Sequence, residues 1–481
     1  MLFNTLKYVL FLTIVFSVYW AIPSKSKNAL LLVASILFCC FGGWQSYALL
    51  LSIAVISFFS AIAIEKFRKK SKRIVFLVSI FIILANLAFF KYRQLFASSW
   101  SKLLACLGFS CSMREVTVIL PLGISFYSFQ VLSYITDVFR DKLKPEHSFL
   151  TYFLFVIFFP YMLSGPICRG HEIIPQLKAE KSFDSDKALF GAKLILWGYF
   201  KKLVVADNLA VYTDKVYAAL PQYHGFSLLL VTFFYAIQIY CDFSGYSDIA
   251  IGSAKLFGIE LRRNFKTPYF SSSIKEFWAG WHISLSTWFR DYVYIPLGGS
   301  RAGKIREYFN LFVTFLVSGL WHGADVSFVV WGALHGLLQI MEKVFKLNTV
   351  GEKNIILRCI KKVLVFSVVA LLWIPFRADS LSDALYVISN MWSGFVSPGA
   401  YVSTGLFDLA IGMRMLTCIV LFLLMPLFFY DFVSYKTHSE GILSIDRLPS
   451  AVRVLLYVFI GFEVVVFSLK GIPAEFVYLQ F

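Results

Sequence analysis

Histidine is the side chain best suited to moving a proton near neutral pH, and the chain has seven. His147, His171, His224 and His438 stand in or near polar loop sequence and read as solvated residues. His282, His322 and His335 stand among apolar and aromatic residues. His322 falls in VSGLWHGADVSFVVWGALHG, between two strongly hydrophobic stretches. A lipid-facing histidine there would be a liability, so it must face an interior, where ionisable groups tend to be functional. The alternative is a core histidine that only hydrogen-bonds between helices, and burial by itself does not separate the two. Gly323 permits a chain break or a close backbone approach beside it. Asp325, three residues on, either orients the ring or caps the next segment. His335 follows Trp331 at i+4 and reads as a helix–helix hydrogen-bonding group.

Two carboxylates, Asp242 and Asp248, sit inside the apolar run FFYAIQIYCDFSGYSDIAIG. Buried carboxylates can handle protons or coordinate ions; pairing with Arg262, Arg263 or Arg290 is the expected role here. The stretch 262–304 is aromatic-rich yet carries His282, Arg290 and Asp291. A segment of that kind survives at membrane depth only against protein or a water-filled cavity. Trp278 and His282 stand at i,i+4 and are expected to face one interior from one helix. Nucleotide-binding loops, GxSxG elbows and HExxH zinc motifs are absent. The eight cysteines form no CxxC pair and no metal spacing with histidine. No metal is expected.

The elements that must position these residues lie in lipid. Hydrophobic residues make up 59% of the 481 positions and charged residues 15%, with a mean hydropathy of +0.73. A soluble chain of this length would need a larger polar fraction. Apolar runs fall near 5–22, 29–41, 46–64, 74–90, 116–136, 149–164, 188–200, 226–257, 306–341, 357–376, 409–430 and 452–470. The 306–341 run is too long for one span and is expected to break near Gly323; the shortest runs read as re-entrant. None alternates with the period of two that a β-barrel requires, so the fold expected is an all-α helical bundle. The first run has no small-residue cleavage site after it and reads as an uncleaved span. Six basic residues between Lys66 and Arg73 mark a cytoplasmic loop. Counting back through two spans puts Lys25 and Lys27 on the same side and the N-terminus outside. The net charge of +17 sits mostly in such short loops, where retention in the cytoplasm and anionic headgroups account for it. Nucleic acid is not an expected partner. With no internal repeat or linker, residues 1–481 read as one integral membrane domain.

Several ordered motifs carry a resemblance. WHISLSTWFRDYVYIPLGGSR (281–301), SGLWHG (318–323) and YCDFSGYSDIAIG (240–252) resemble the membrane-bound O-acyltransferase family, most closely its bacterial alginate O-acetylation branch. PLGISFYSFQ (121–130) with Asp137, and SGPICR (164–169), fit the same branch. The similarity runs over about residues 115–340. It implies a helical bundle with re-entrant segments around a central tunnel, in the bacterial cytoplasmic (inner) membrane. A donor thioester would enter from the cytoplasm and a hydroxyl acceptor from the other face. On this resemblance His322 matches the catalytic histidine and His282 the second histidine of the site, with Trp281, Trp321, Ser284, Arg290, Asp291 and Asp242 as supporting residues. Asp325 stands where the branch often has Asn. The implied donor is acetyl-CoA, and the implied partner is a separate extracytoplasmic acetyltransferase of SGNH type that acetylates an exported polysaccharide or peptidoglycan. A D-alanyl transferase working from a carrier protein is the nearest alternative. A glycan or lipid transporter and a non-catalytic scaffold are alternatives of other classes; neither gives a reason for the WHIS and LWHG elements.

Overall fold

The computed structural model describes residues 3–41, 43–106, 121, 123–301, 303–348, 354–439, 441–468 and 476. Among these the secondary structure is helical, with no strand, as the lack of alternation requires. Five described helices are long and apolar enough to cross a membrane: Trp44–Lys66, Lys69–Arg93, Phe226–Leu256, Met413–Thr437 and Ser450–Ser468. Phe81 and Phe462 are 71% and 67% exposed on two of them, a disposition that lipid rewards and water penalises. Of the expected run 116–136, residues 116–120 and 122 lie outside the described residues. Its remainder forms the helix Ile124–Phe139, buried from Phe126 to Val138. The run 149–164 yields the helix Phe149–Ile157, whose nine residues span about 13 Å, too short to cross a bilayer.

The described chain divides into two compact units. The first comprises Met1–Gly191 and Ala250–Arg262. Within it the first helix, Leu6–Ala21, is fixed by the Tyr8 hydroxyl donating to Ser253 Oγ at 2.8 Å and by Trp20 Nε1 donating to the Leu256 carbonyl at 3.1 Å. The Gln130 amide donates to the Phe155 carbonyl at 2.6 Å, and Ser57 and Tyr152 share a buried hydroxyl–hydroxyl bond of 2.6 Å. Such bonds replace the water that these groups lose. Ser164 and Arg169 of the SGPICR motif are buried here, as is Asp137.

The second unit, Ala192–Ile249 with Arg263–Phe481, contains every candidate site residue. Its most extensive helix pairing is an antiparallel hairpin, Lys304–His322 and Val326–Val344. The break expected near Gly323 is found there: the first helix ends at His322 and Gly323 is extended. Glycine is required at this corner, because a Cβ on Gly323 would lie 2.1 Å from the Phe328 ring. Gly319 and Gly332 let the two helices approach to backbone contact, since a Cβ on either would meet a carbonyl oxygen of the other helix at 2.3 and 2.4 Å. Asp325 caps the second helix, its carboxylate accepting from the Ser327 amide at 2.7 Å. Of its two expected roles, capping is the one it plays.

Candidate active site

His322 is the last residue of its helix and is 3% exposed. Three aromatic rings stand around it. Trp321, Trp331 and Phe376 have ring centroids 4.9, 5.0 and 5.2 Å away, each close to perpendicular to the imidazole. Trp373 closes a second layer, 5.7 Å from Trp331 and 5.2 Å from Phe376. Two physical effects act on the ring in this position. The unsatisfied carbonyls of a helix C-terminus carry partial negative charge, which favours a cation by roughly 0.3–2 kcal/mol. Aromatic faces within about 6 Å attract a cation by a further ~0.5–2 kcal/mol.

His282 is fully buried and adopts a left-handed backbone, φ 42°, a conformation that costs a non-glycine residue about 1–3 kcal/mol. The expectation that Trp278 and His282 share one helix is corrected. The helix Ile274–Gly280 stops before His282, and His282 caps a new helix, Ile283–Phe289. The stop is built in at Gly280, where a Cβ would lie 2.6 Å from the Lys266 carbonyl and where Lys266 N donates back to the Gly280 carbonyl at 2.9 Å. Asn264 holds the turn. Its carbonyl accepts from Ile283 N at 2.9 Å, its side chain accepts from Ser284 Oγ at 2.6 Å, and its amide donates to Ser247 Oγ at 3.0 Å. Phe243 packs on the His282 ring at 4.5 Å. Burial pushes the imidazole down to about 3, so His282 is neutral at physiological pH.

Trp321 brings the two histidines into one cluster: its ring lies 6.2 Å from His282 and 4.9 Å from His322. Trp281 joins from the other side through Trp373, at 4.8 Å. His335 keeps its expected role, accepting the Trp278 indole N–H on Nδ1 at 3.2 Å. Among the named supporting residues, Trp281, Trp321 and Ser284 belong to this buried cluster. Arg290 and Asp291 pair with each other at 2.9 Å on a more open turn, with side chains 59% and 31% exposed.

Asp242 and Asp248 are ion-paired, but with lysines. Lys202 Nζ lies 2.6 Å from Asp242 and 2.8 Å from Asp207; Lys201 Nζ lies 2.5 Å from Asp248. The expected arginine partners are elsewhere engaged: Arg262 bridges Glu172 and Arg290 bridges Asp291, while Arg263 adds only a charge near Asp248. Both lysines are almost wholly buried, 4% and 1% exposed. The signal that pointed to them was available, two adjacent lysines inside the apolar sequence LILWGYFKKLVVA. Trp373, Phe376, Phe243 and Asn264 are further cluster residues that the sequence reading did not single out. Among the described residues no group of His, Cys, Asp and Glu is placed to hold a metal ion.

The family model described as membrane-bound O-acyltransferase matches residues 112–350. The chain is similar to the probable alginate O-acetylase of Pseudomonas putida, 32% identical and covering 98% of both chains. It is similar to the peptidoglycan O-acetyltransferase of Helicobacter pylori, 31% identical over 81% of this chain and 80% of that protein. The teichoic acid D-alanyltransferase of Bacillus subtilis is 29% identical over 47% of this chain and 59% of its own length. With the alginate O-acetylase relative matched along nearly its whole length, and with five described helices long and apolar enough to cross a membrane, the chain belongs to the membrane-bound O-acyltransferase family and is a multi-pass membrane enzyme that transfers acyl groups to oxygen.

Proposed function

We propose that this enzyme moves an acetyl group from cytoplasmic acetyl-CoA to a hydroxyl on the far side of the cytoplasmic membrane, for O-acetylation of an exported polysaccharide or peptidoglycan. The observation that carries the reading is His322, at a helix C-terminus inside a box of aromatic rings. In the proposed reaction an imidazole nitrogen of His322 takes the hydroxyl proton as that oxygen attacks the thioester carbonyl. The new C–O bond forms, the C–S bond breaks, and the proton passes to the departing thiolate. Histidine suits this task because its proton affinity is matched to neutral pH. The dry surroundings keep competing water from the thioester. His282, neutral and braced by the Asn264 turn, serves as a fixed hydrogen-bonding group toward the reacting oxygen atoms.

The alginate and peptidoglycan relatives support a carbohydrate polymer as the final acceptor. They extend along most of this chain, whereas similarity to the D-alanyl-transferring relative covers less than half of it. The chain acts as one integral membrane domain, and a separate extracytoplasmic acetyltransferase of SGNH type delivers the acetyl group to the polymer. Protein purified in detergent should turn over acetyl-CoA slowly without any gradient, and faster when the partner or a hydroxyl acceptor is added. The His322→Ala protein should bind acetyl-CoA normally and turn none over, because the base acts in the transition state. Wild-type protein that neither binds acetyl-CoA nor consumes it with a partner present overturns the donor assignment. Flux that needs two compartments and no thioester would make the protein a transporter.

A further inference from the structure

A cavity in the Ala192–Ile249 and Arg263–Phe481 unit backs onto the aromatic cluster, since Tyr240 and Tyr269 of its lining stand 6.2 and 5.9 Å from the Trp281 ring. It is a cleft of about 600 Å³ between the helix Ile355–Leu372 and the helix Met425–Thr437. Val363, Phe366, Leu424, Leu427 and Phe428 form its apolar walls. Its outer side is open, with Val363 and Phe428 64% and 62% exposed. One end is cationic. Arg358 and Lys362 come from the first turns of one helix and Lys436 from the last turn of the other. The two helices are antiparallel here, since Lys362 Nζ stands 3.9 Å over the ring of Tyr435, the neighbour of Lys436. Among the described residues neither Lys362 nor Lys436 has a carboxylate within ion-pair distance, unlike Lys201 and Lys202. The one acid in the lining, Asp431, lies five residues deeper and is hydrogen-bonded to Tyr240.

We infer that this cleft holds an anionic phospholipid, its phosphate at Lys362, Lys436 and Arg358 and an acyl chain along the apolar walls. Three features select that occupant. The cleft opens sideways from helices whose exposed faces are apolar, so the ligand that reaches it first is lipid. Its length suits one leaflet: the helix from Lys436 back to Leu424 rises about 18 Å, close to half of a hydrocarbon core of about 30 Å. The charge is also complementary, since Lys362 and Lys436, with no carboxylate at ion-pair distance among the described residues, attract anionic headgroups. The cationic end is the basic end of the unit. Lys361 donates to the Asn348 carbonyl at 3.3 Å, which joins this end to the turn after Val326–Val344, where Lys343 and Lys346 also lie. Basic residues collect on the cytoplasmic side, so the lipid belongs to the inner leaflet.

The test is retention of lipid by the full-length protein in detergent, read by native mass spectrometry with phosphatidylglycerol and phosphatidylcholine supplied in equal amounts. Wild type should retain phosphatidylglycerol preferentially. Each of Lys362→Ala and Lys436→Ala should weaken that retention about fivefold, and the pair together roughly thirtyfold. Val363→Trp, which fills the cleft without changing charge, should lower retention of both lipids. Variants are compared only where elution and melting match wild type, and the readout is independent of acyl transfer. Equal retention of the two lipids by wild type, or unchanged retention in all three variants, overturns the assignment. So does displacement of the lipid by coenzyme A, which would make the cleft a donor entrance.

Discussion

His322 ends its helix with Trp321, Trp331 and Phe376 packed on its ring. A glutamine in its place can hydrogen-bond in the same space but cannot hold a proton. His322→Gln is therefore expected to lose at least ~10²–10⁴-fold in acyl-transfer rate, with little change in melting temperature. Initial-rate assays with and without the partner check this; an active Gln variant would move the base elsewhere, and His282 is the nearest alternative. How much of this site was legible follows from where its parts lie in the chain. His322 stood out because an ionisable residue in apolar sequence must face an interior. Trp331 and His335 announce themselves by i,i+4 spacing. Trp373 and Phe376 arrive from another helix about fifty residues on, and no local pattern encodes that. The left-handed turn at His282 was hidden for another reason. Trp278 and His282 have ideal helical spacing, and a close backbone approach at Gly280 overrides it.

At the scale of elements, the strongest polar contact between helices is the lysine–aspartate pairing. The Phe200–Ala206 stretch is a π-helical segment continuous with the helices on either side, and its two adjacent lysines point in different directions around the axis. Asp242 and Asp248, six residues apart on Phe226–Leu256, diverge by about 120°, so each lysine meets one aspartate. Gly198 and Gly245 bring the helices close enough, since a Cβ on either would stand 2.7–2.8 Å from the carbonyl of the other. Lys202→Met leaves Asp207 and Asp242 buried without their cation and is expected to destabilise by about 3–5 kcal/mol. Adding Asp242→Asn should restore part of that loss. A double-mutant cycle on thermal unfolding in detergent measures the coupling, and strictly additive effects would mean that the pair is not an interacting unit. The aspartates were legible as buried and paired. Their partners were not, because the arginines that the sequence suggested, Arg262 and Arg263, lie beyond the helix end, while the lysines come from about forty residues earlier.

For the whole molecule, the class of fold was written in hydropathy. Long apolar runs without alternation leave only helices in lipid, and the helices appear where those runs are. What hydropathy did not separate was spanning from non-spanning: Phe149–Ile157 is as apolar as any span and too short to be one. The orientation rests on charge alone. A reporter fused in the 66–73 loop is expected to read cytoplasmic, and one at the N-terminus extracytoplasmic. A cytoplasmic reading at both positions would leave an even number of crossings between them and remove one of the helices before residue 66 from the span count.

The aromatic box around the histidines also has an optical meaning. Trp321 and Trp331 touch His322 directly, and Trp281 and Trp373 follow in ring contact. These are four of the eleven indoles in the chain. Indole emission is quenched by a neighbouring imidazolium far more than by a neutral imidazole. The proposed reaction centre therefore carries its own chromophores, and a proton arriving on His322 is expected to register as a loss of the protein's intrinsic fluorescence without any added label.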